Sequence, residues 1–186
     1  MKINLNLVLS VLLGVVCFYG LIPPPVFSGT SPDKSRALQA GFPEADSFSR
    51  KVFRLKDNQK EEITRATGQK ITSSFVTVYI AQKENQTVGY GLFDSTRGKS
   101  SLIKYFVGIK PDGQILTVEV IEYQGEKGAS ICRKKFKQQF AGKGITSRLM
   151  IGDDIDAMSG ATISSRALTN GVRKLMNLWH AVFAGL

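Results

Sequence analysis

The sequence predicts an α+β domain: an antiparallel sheet of about four to six strands with helices packed against it, preceded by a separate apolar segment. Three observations carry this. Residues 101–123 (SLIKYFVGIKPDGQILTVEVIEY) set two strand-like arms on either side of Lys110-Pro-Asp-Gly-Gln114, a turn composition, and so form a β-hairpin. From Ile163, apolar residues recur at Ala167, Leu168, Val172, Leu175, Trp179 and Val182, the stripe of a helix lying on a sheet. Residues 5–22 carry no charge and follow the single cation Lys2.

That first segment, LNLVLSVLLGVVCFYGLI, belongs in lipid or in the export machinery. The following PPPVFSG breaks it and offers a signal-peptidase site after Ser28, so two outcomes stand: cleavage there, or retention as an anchor. Either leaves the remaining domain outside the cytoplasm. A lipoprotein reading through Cys17 is weaker, because LGVVC lacks the small residue wanted before the cysteine. Residues 1–28 are therefore a signal peptide or anchor. Residues 29–72 form a tether and an N-terminal helical extension, and residues 73–186 the main domain.

Within the extension, residues 29–47 carry Gly, Pro and Ser and read as the tether. Asp57 opens DNQKEEITRATG, where Glu in the first turns, Ile63 and Ala66 at helical spacing and a closing Gly68 mark a short helix. Residues 73–82 (SSFVTVYIAQ) are rich in β-branched and aromatic residues, KENQT turns the chain, and VGYGLF at 88–93 returns beside them. After the hairpin, ASICRKKFKQQFAGK spaces Cys132, Phe136 and Phe140 four apart, as one amphipathic helix would. A short apolar piece at 149–151 leads through the acidic GDDIDAM to SGAT, where Ser159 or Thr162 begins the last helix.

Composition excludes several classes of function. The 186 residues, 42% hydrophobic and 22% charged, suit one compact core. His180 is the only histidine, and Cys17 and Cys132 make neither a haem motif nor a disulfide framework, so metal and haem centres are hard to build. Cys132 is expected as a buried thiol. His180 receives no role, Glu119 and Glu122 read as a solvated strand face, and Tyr79, Tyr90, Tyr105 and Phe106 as sheet packing. The net charge of +10 attracts anions, but aromatic interleaving of a nucleic-acid type is missing from its densest cluster, CRKKFKQQFAGK. Nucleic acid is excluded, and an acidic redox partner or lipid headgroups suit Arg133, Lys134, Lys135 and Lys137.

The run of small residues in DAMSGATISSR sits where a helix begins. Uncapped backbone amides and the positive end of the helix dipole can hold a phosphate there without a charged side chain, and Gly160 and Ala161 would let it come close. The alternative is that Ser159 or Thr162 is only an N-cap.

This stretch resembles the Asp-x-x-Ser/Thr-Gly-Ala-Thr signature of the FMN-binding domain family, which includes the C subunit of the sodium-translocating NADH:quinone oxidoreductase and the G subunit of the Rnf electron-transport complex. The resemblance extends through VGYGLF, the hairpin and FKQQFAGK, about residues 73–180. It implies covalent FMN on Thr162 through a phosphoester installed by a flavin transferase from FAD. Ser159, Gly160 and Ala161 would lie about the phosphate, with Asp156 as the signature acid. Where the large-complex members carry a loop like Glu-Thr-Pro-Gly-Leu-Gly, this chain has YQGEKGAS, with Glu126 and Gly128 in the corresponding role. That departure points to a shorter, stand-alone relative.

The expected function is that of an exported or periplasmic, membrane-associated flavoprotein relaying electrons between redox partners, more a carrier than an enzyme. Two other functions compete with it. One is a ligand-binding or assembly module of the same fold without flavin; the other is a reductase with its own substrate. The chain has no nicotinamide fingerprint such as G-x-G-x-x-G, which argues against direct oxidation of NAD(P)H.

Overall fold

The computed structural model describes residues 31–125 and 128–183. The apolar segment, Cys17, the Ser28 site and Glu126 lie outside the described residues. Elements follow in the order α1 (Pro32–Gly41), β1 (Ser47–Arg54), α2 (Asp57–Thr67), β2 (Phe75–Lys83), β3 (Gln86–Arg97), β4 (Leu102–Ile109), β5 (Ile115–Tyr123), α3 (Lys134–Lys137) and α4 (Thr162–Phe183). The five strands form one antiparallel meander in sequence order. This is the expected α+β architecture.

Alternation of side chains along the strands separates two cores. Val76, Val78, Tyr105 and Val107 turn to the face covered by Leu168, Val172, Leu175 and Met176 of α4. Tyr79, Ala81 and Phe106 turn the other way, against Ala37 and Leu38 of α1 and the adjoining Phe42. The region read as a tether therefore contains a helix. Pro32 starts α1 at a position where its missing N–H costs nothing, and only Ala37, Leu38 and Gly41 are buried, too few apolar positions to announce it.

Helix α2 ends, as expected, on left-handed Gly68 (φ 69°). Asp57, which opens the stretch in the sequence, is its first residue and pairs with Lys60 at 2.7 Å. Side chains tie α2 and the loop after it to α4. Gln59 Nε2 donates to the Ala181 carbonyl (2.6 Å), Gln69 Nε2 to that of Asn170 (2.7 Å), and Arg173 to that of Thr67 (3.0 Å). The predicted hairpin is β4–β5, closed by Lys110 N–H donating to the Gln114 carbonyl at 2.8 Å.

Two features modify the plain meander. The single amphipathic helix expected after β5 is broken into a 3₁₀ turn (Ala129–Cys132), α3, and a second 3₁₀ turn (Gln138–Phe140), with Arg133 extended at φ −69°, ψ 142°. Ile131, Phe136 and Phe140 are all buried. Five positions correspond to about 140° around a continuous helix, which would turn Ile131 away from Phe136. The break aligns them and leaves Cys132 exposed rather than buried, its thiol held above the ordinary value by partial desolvation that Lys137 opposes. The second feature is a fork in the sheet. β2 and β3 pair only from Tyr79↔Gly91 to Lys83↔Gln86, after which β2 stays with β1 and β3 with β4.

Candidate functional site

The segment entering α4 is fixed before the helix starts. Leu149 is buried in a left-handed conformation (φ 48°) that a side chain rarely adopts. Asp154 holds it there by accepting from the amides of Leu149 (3.1 Å) and Met150 (2.9 Å), with Lys143 at 3.5 Å. Partial burial would raise the Asp154 carboxyl, but the Met150 and Leu149 amides and Lys143 outweigh it and hold the group below the usual carboxylate range. Asp153 pairs with Arg148 at 2.5 Å. Asp153 and Asp154 are thus both engaged within a folded turn. Next, Gln139 clasps the backbone of Asp156, accepting from its N–H (2.7 Å) and donating to its carbonyl (3.2 Å).

The opening turn of α4 bears on the N-cap reading. Thr162 is the first helical residue, and Ser165 N–H donates to the Ala161 carbonyl at 2.8 Å. Ala161 therefore occupies the N-cap position and has no side-chain oxygen to offer the first-turn amides. Neither Ser159 nor Thr162 stands there. The loop is secured from inside the helix instead, since buried Ser165 Oγ accepts the Met158 N–H (3.1 Å) and Ala161 N–H donates to the Met158 carbonyl (2.9 Å).

A cavity of about 220 Å³ opens at this turn, lined by Gly128, Gly160, Ala161, Thr162 and Ser164, with Lys99 and Ile163 at its sides. Thr162 is exposed, and Gly160 is left-handed (φ 72°). A Cβ on Gly128 would lie 2.6 Å from Ser164 Oγ, so only glycine lets this loop approach the helix so closely. Ser164 Oγ also lies 3.3 Å from Tyr123 Oη at the end of β5. Of the residues singled out in the sequence, the cavity gathers Gly128, Gly160, Ala161 and Thr162. Ser159 and Asp156 are exposed nearby and are not among its lining residues.

Lys99 and Ile163 were missed in the sequence. Lys99 lies in the β3–β4 connection, where RGKSS reads as an ordinary turn, and its nearness to Thr162 is purely tertiary. Ile163 was placed on the packing stripe, but it is 55% exposed at the cavity. The site thus combines a hydroxyl, uncapped amides, a cation and an exposed apolar side chain, a set suited to a phosphate on an apolar body.

The basic cluster is smaller than its sequence suggests. Arg133, Lys134 and Lys135 are exposed, whereas Lys137 is ion-paired with Glu119 across to β5. Glu122 pairs with Lys104 at 2.6 Å. Tyr79, Tyr105 and Phe106 are buried in the sheet as expected, and Tyr90 packs on Trp179 and Phe183. Among the described residues no helix is long and apolar enough to cross a membrane, and no cluster of His, Cys, Asp and Glu could hold a metal.

The chain is 26% identical over 170 residues to the G subunit of the proton-translocating ferredoxin:NAD(+) oxidoreductase complex of Clostridium ljungdahlii, spanning 87% of this chain and 85% of that protein. It is also 26% identical over 157 residues to the G subunit of the Na(+)-translocating ferredoxin:NAD(+) oxidoreductase complex of Acetobacterium woodii, spanning 77% of this chain and 72% of that one. The fold is similar to the crystal structure of Shewanella oneidensis NqrC, with a TM-score of 0.52 at 17% identity over 82% of this chain and 84% of the other. Residues 98–177, which run from the Lys99 loop through the hairpin and the small-residue turn into α4, match the FMN-binding domain model.

Proposed function

We propose that this chain is a flavoprotein that relays electrons within a membrane redox complex, with FMN attached through its phosphate to Thr162. The observation that carries this reading is the exposed Thr162 hydroxyl on the first, uncapped turn of a 22-residue helix, at the mouth of a cavity that also presents Lys99. Residues present here fit such a group. The first-turn amides of Thr162, Ile163 and Ser164 would hold the phosphate, Lys99 would supply a compensating charge, and Ile163 would offer apolar surface to the rest of the group. Gly128 leaves room beside Ser164. Bound FMN would supply the reversible acceptance and release of electrons, while the protein holds and positions it.

Attachment requires a transferase. The Thr162 Oγ–phosphorus bond forms, the pyrophosphate bond of FAD breaks, AMP leaves, and the hydroxyl proton is lost. A covalent link is useful outside the cytoplasm, where lost FMN cannot readily be replaced. The relatives support the setting, since both belong to ion-translocating ferredoxin:NAD(+) oxidoreductase complexes, and ion translocation needs a membrane. The decisive experiment is co-expression with a flavin transferase, followed by mass spectrometry of tryptic residues 144–166 and 149–166. FMN is expected on this peptide. An unmodified peptide under active transferase would instead favour the flavin-free binding module.

Two further outcomes follow. An alkaline phosphatase fusion after Ala40 is expected to be active, because residues 5–22 would carry it across the membrane; an inactive, cytoplasmic fusion would remove the argument from cofactor retention. Electron transfer to an acidic partner through Arg133, Lys134 and Lys135 is expected to slow as salt rises, since ~0.15 M already limits the reach of charges to about 8 Å. A rate indifferent to salt would leave these residues as solvated surface.

A further inference from the structure

The fork in the sheet opens a second cavity, far from Thr162. Beyond Tyr79↔Gly91, β2 and β3 diverge, and the space between them, closed by α4 and the loop after α2, measures about 520 Å³. That volume lies in the ordinary range of small-molecule sites, about 300–1,000 Å³. Lys174 on its wall lies twelve positions beyond Thr162 in α4, about 18 Å along the helix axis. The two sites are therefore distinct.

Charge at this cavity is strongly one-sided. Lys34 comes from α1, Arg50 from β1, Lys70 from the loop after α2 and Lys174 from α4, so four elements converge with cations. Asp94 is the one carboxylate among the lining residues, and it is already committed. It pairs with Lys174 at 2.6 Å and accepts a hydrogen bond from Tyr105 Oη at 3.0 Å. Lys34, Arg50 and Lys70 thus share a concavity with no carboxylate to neutralise them among its lining residues. Like charges held together raise the free energy of the folded state, and an anion bound among them would lower it.

The walls also offer apolar surface. Leu92, Leu175 and Leu178 form buried flooring, and Phe75 stands 59% exposed at the rim. Lys34 Nζ sits 5.4 Å from the centre of the Phe93 ring, placing cation and aromatic face together. We propose that this fork is a binding site for a small organic anion, a carboxylate or phosphate carried on an aromatic or other apolar body. The proposal does not depend on flavin at Thr162.

Isothermal titration of the full chain in non-ionic detergent with isophthalate, an aromatic dianion, tests it, with uncharged isophthalamide as the matched control. Isophthalate is expected to bind saturably at one site and to weaken with salt. Isophthalamide, and isophthalate with the Lys34→Glu/Lys70→Glu variant, are expected to bind at least about tenfold more weakly. The Arg133→Glu/Lys134→Glu variant changes net charge equally on another surface and is expected to retain wild-type binding within about twofold. Equal losses in both variants would show bulk charge and not a site. Equal binding of the amide, or no saturable binding of isophthalate at millimolar concentration, would also overturn the proposal.

Discussion

Thr162→Ala is expected to abolish the covalent flavin completely while leaving the fold in place. The alanine has no hydroxyl, so no phosphoester can form, and Ser159 and Ser164 do not substitute: Ser159 is outside the lining of the cavity, and Ser164 is buried with its Oγ 3.3 Å from Tyr123 Oη. Little stability should be lost. Thr162 is exposed, is not the N-cap, and lies at a position where alanine is a good helix residue, so the change should stay within about 0.5 kcal/mol. The measurements are flavin fluorescence on a denaturing gel and thermal unfolding of the same preparation. A fluorescent band that survives in the variant would sink the assignment of Thr162. A lost band with a large drop in melting temperature would mean that the substitution had damaged the fold instead. Gly160→Val should reduce loading by a different route, because the acceptor hydroxyl remains while a β-branched residue is forced into φ 72°.

Gly171→Val should produce the largest loss of stability. Gly171 is buried in α4 where the helix crosses the sheet, and a Cβ there would lie 2.3 Å from Tyr105 Oη and 2.7 Å from its Cζ. Tyr105 cannot give way easily. It is fully buried in β4, and its hydroxyl donates to Asp94, which also pairs with Lys174. Burial first, and then the charge of Asp94, raise the Tyr105 pKa well above the ordinary tyrosine value, so the phenol stays protonated as donor. Overpacking of a core typically costs about 1–3 kcal/mol, and an unsatisfied buried polar group about as much again, so the sum is roughly 2–6 kcal/mol. For a chain of this size that lowers the melting temperature by about 10 °C. In an exposed helix, by contrast, replacing glycine with alanine stabilises by about 0.5–1 kcal/mol. A cycle with Tyr105→Phe separates the effects, because removing the hydroxyl should relieve much of the penalty of Gly171→Ala. A Gly171→Val protein that melts at or above the wild-type temperature would refute the close-packing account.

Much of this architecture was legible because its signals are local. The β4–β5 hairpin carries its own turn, α2 its own glycine stop, and α4 a stripe long enough to define a helix. Elements determined by distant contacts were not legible. β1 reads SFSRKVFR, with Arg50 and Lys51 interrupting any alternation and Val52 left exposed; its strand conformation comes from pairing with β2. α1 has too few buried positions to show a stripe, and Arg133 breaks a helical period because three buried side chains must reach one surface. At the site the signature turn was readable as sequence, whereas Lys99, brought to Thr162 by the fold alone, was not.

The meander has a consequence for the order in which the molecule assembles. Each strand pairs with its neighbour in sequence, so from β2 to β5 the sheet closes only short loops, while β1 joins across the connection that holds α2. Helix α4 must instead find α2 and the segment after it across separations of 122, 101 and 106 residues, as the contacts of Gln59, Gln69 and Arg173 show. Those closures carry the greater entropic cost and reward the chain only once the sheet offers a surface to dock on. The turn bearing Thr162 is joined to that late-docking helix, so its shape is a property of the finished domain. A modifying enzyme that reads the shape of the turn would then act as a check on folding, marking only chains whose last helix has docked.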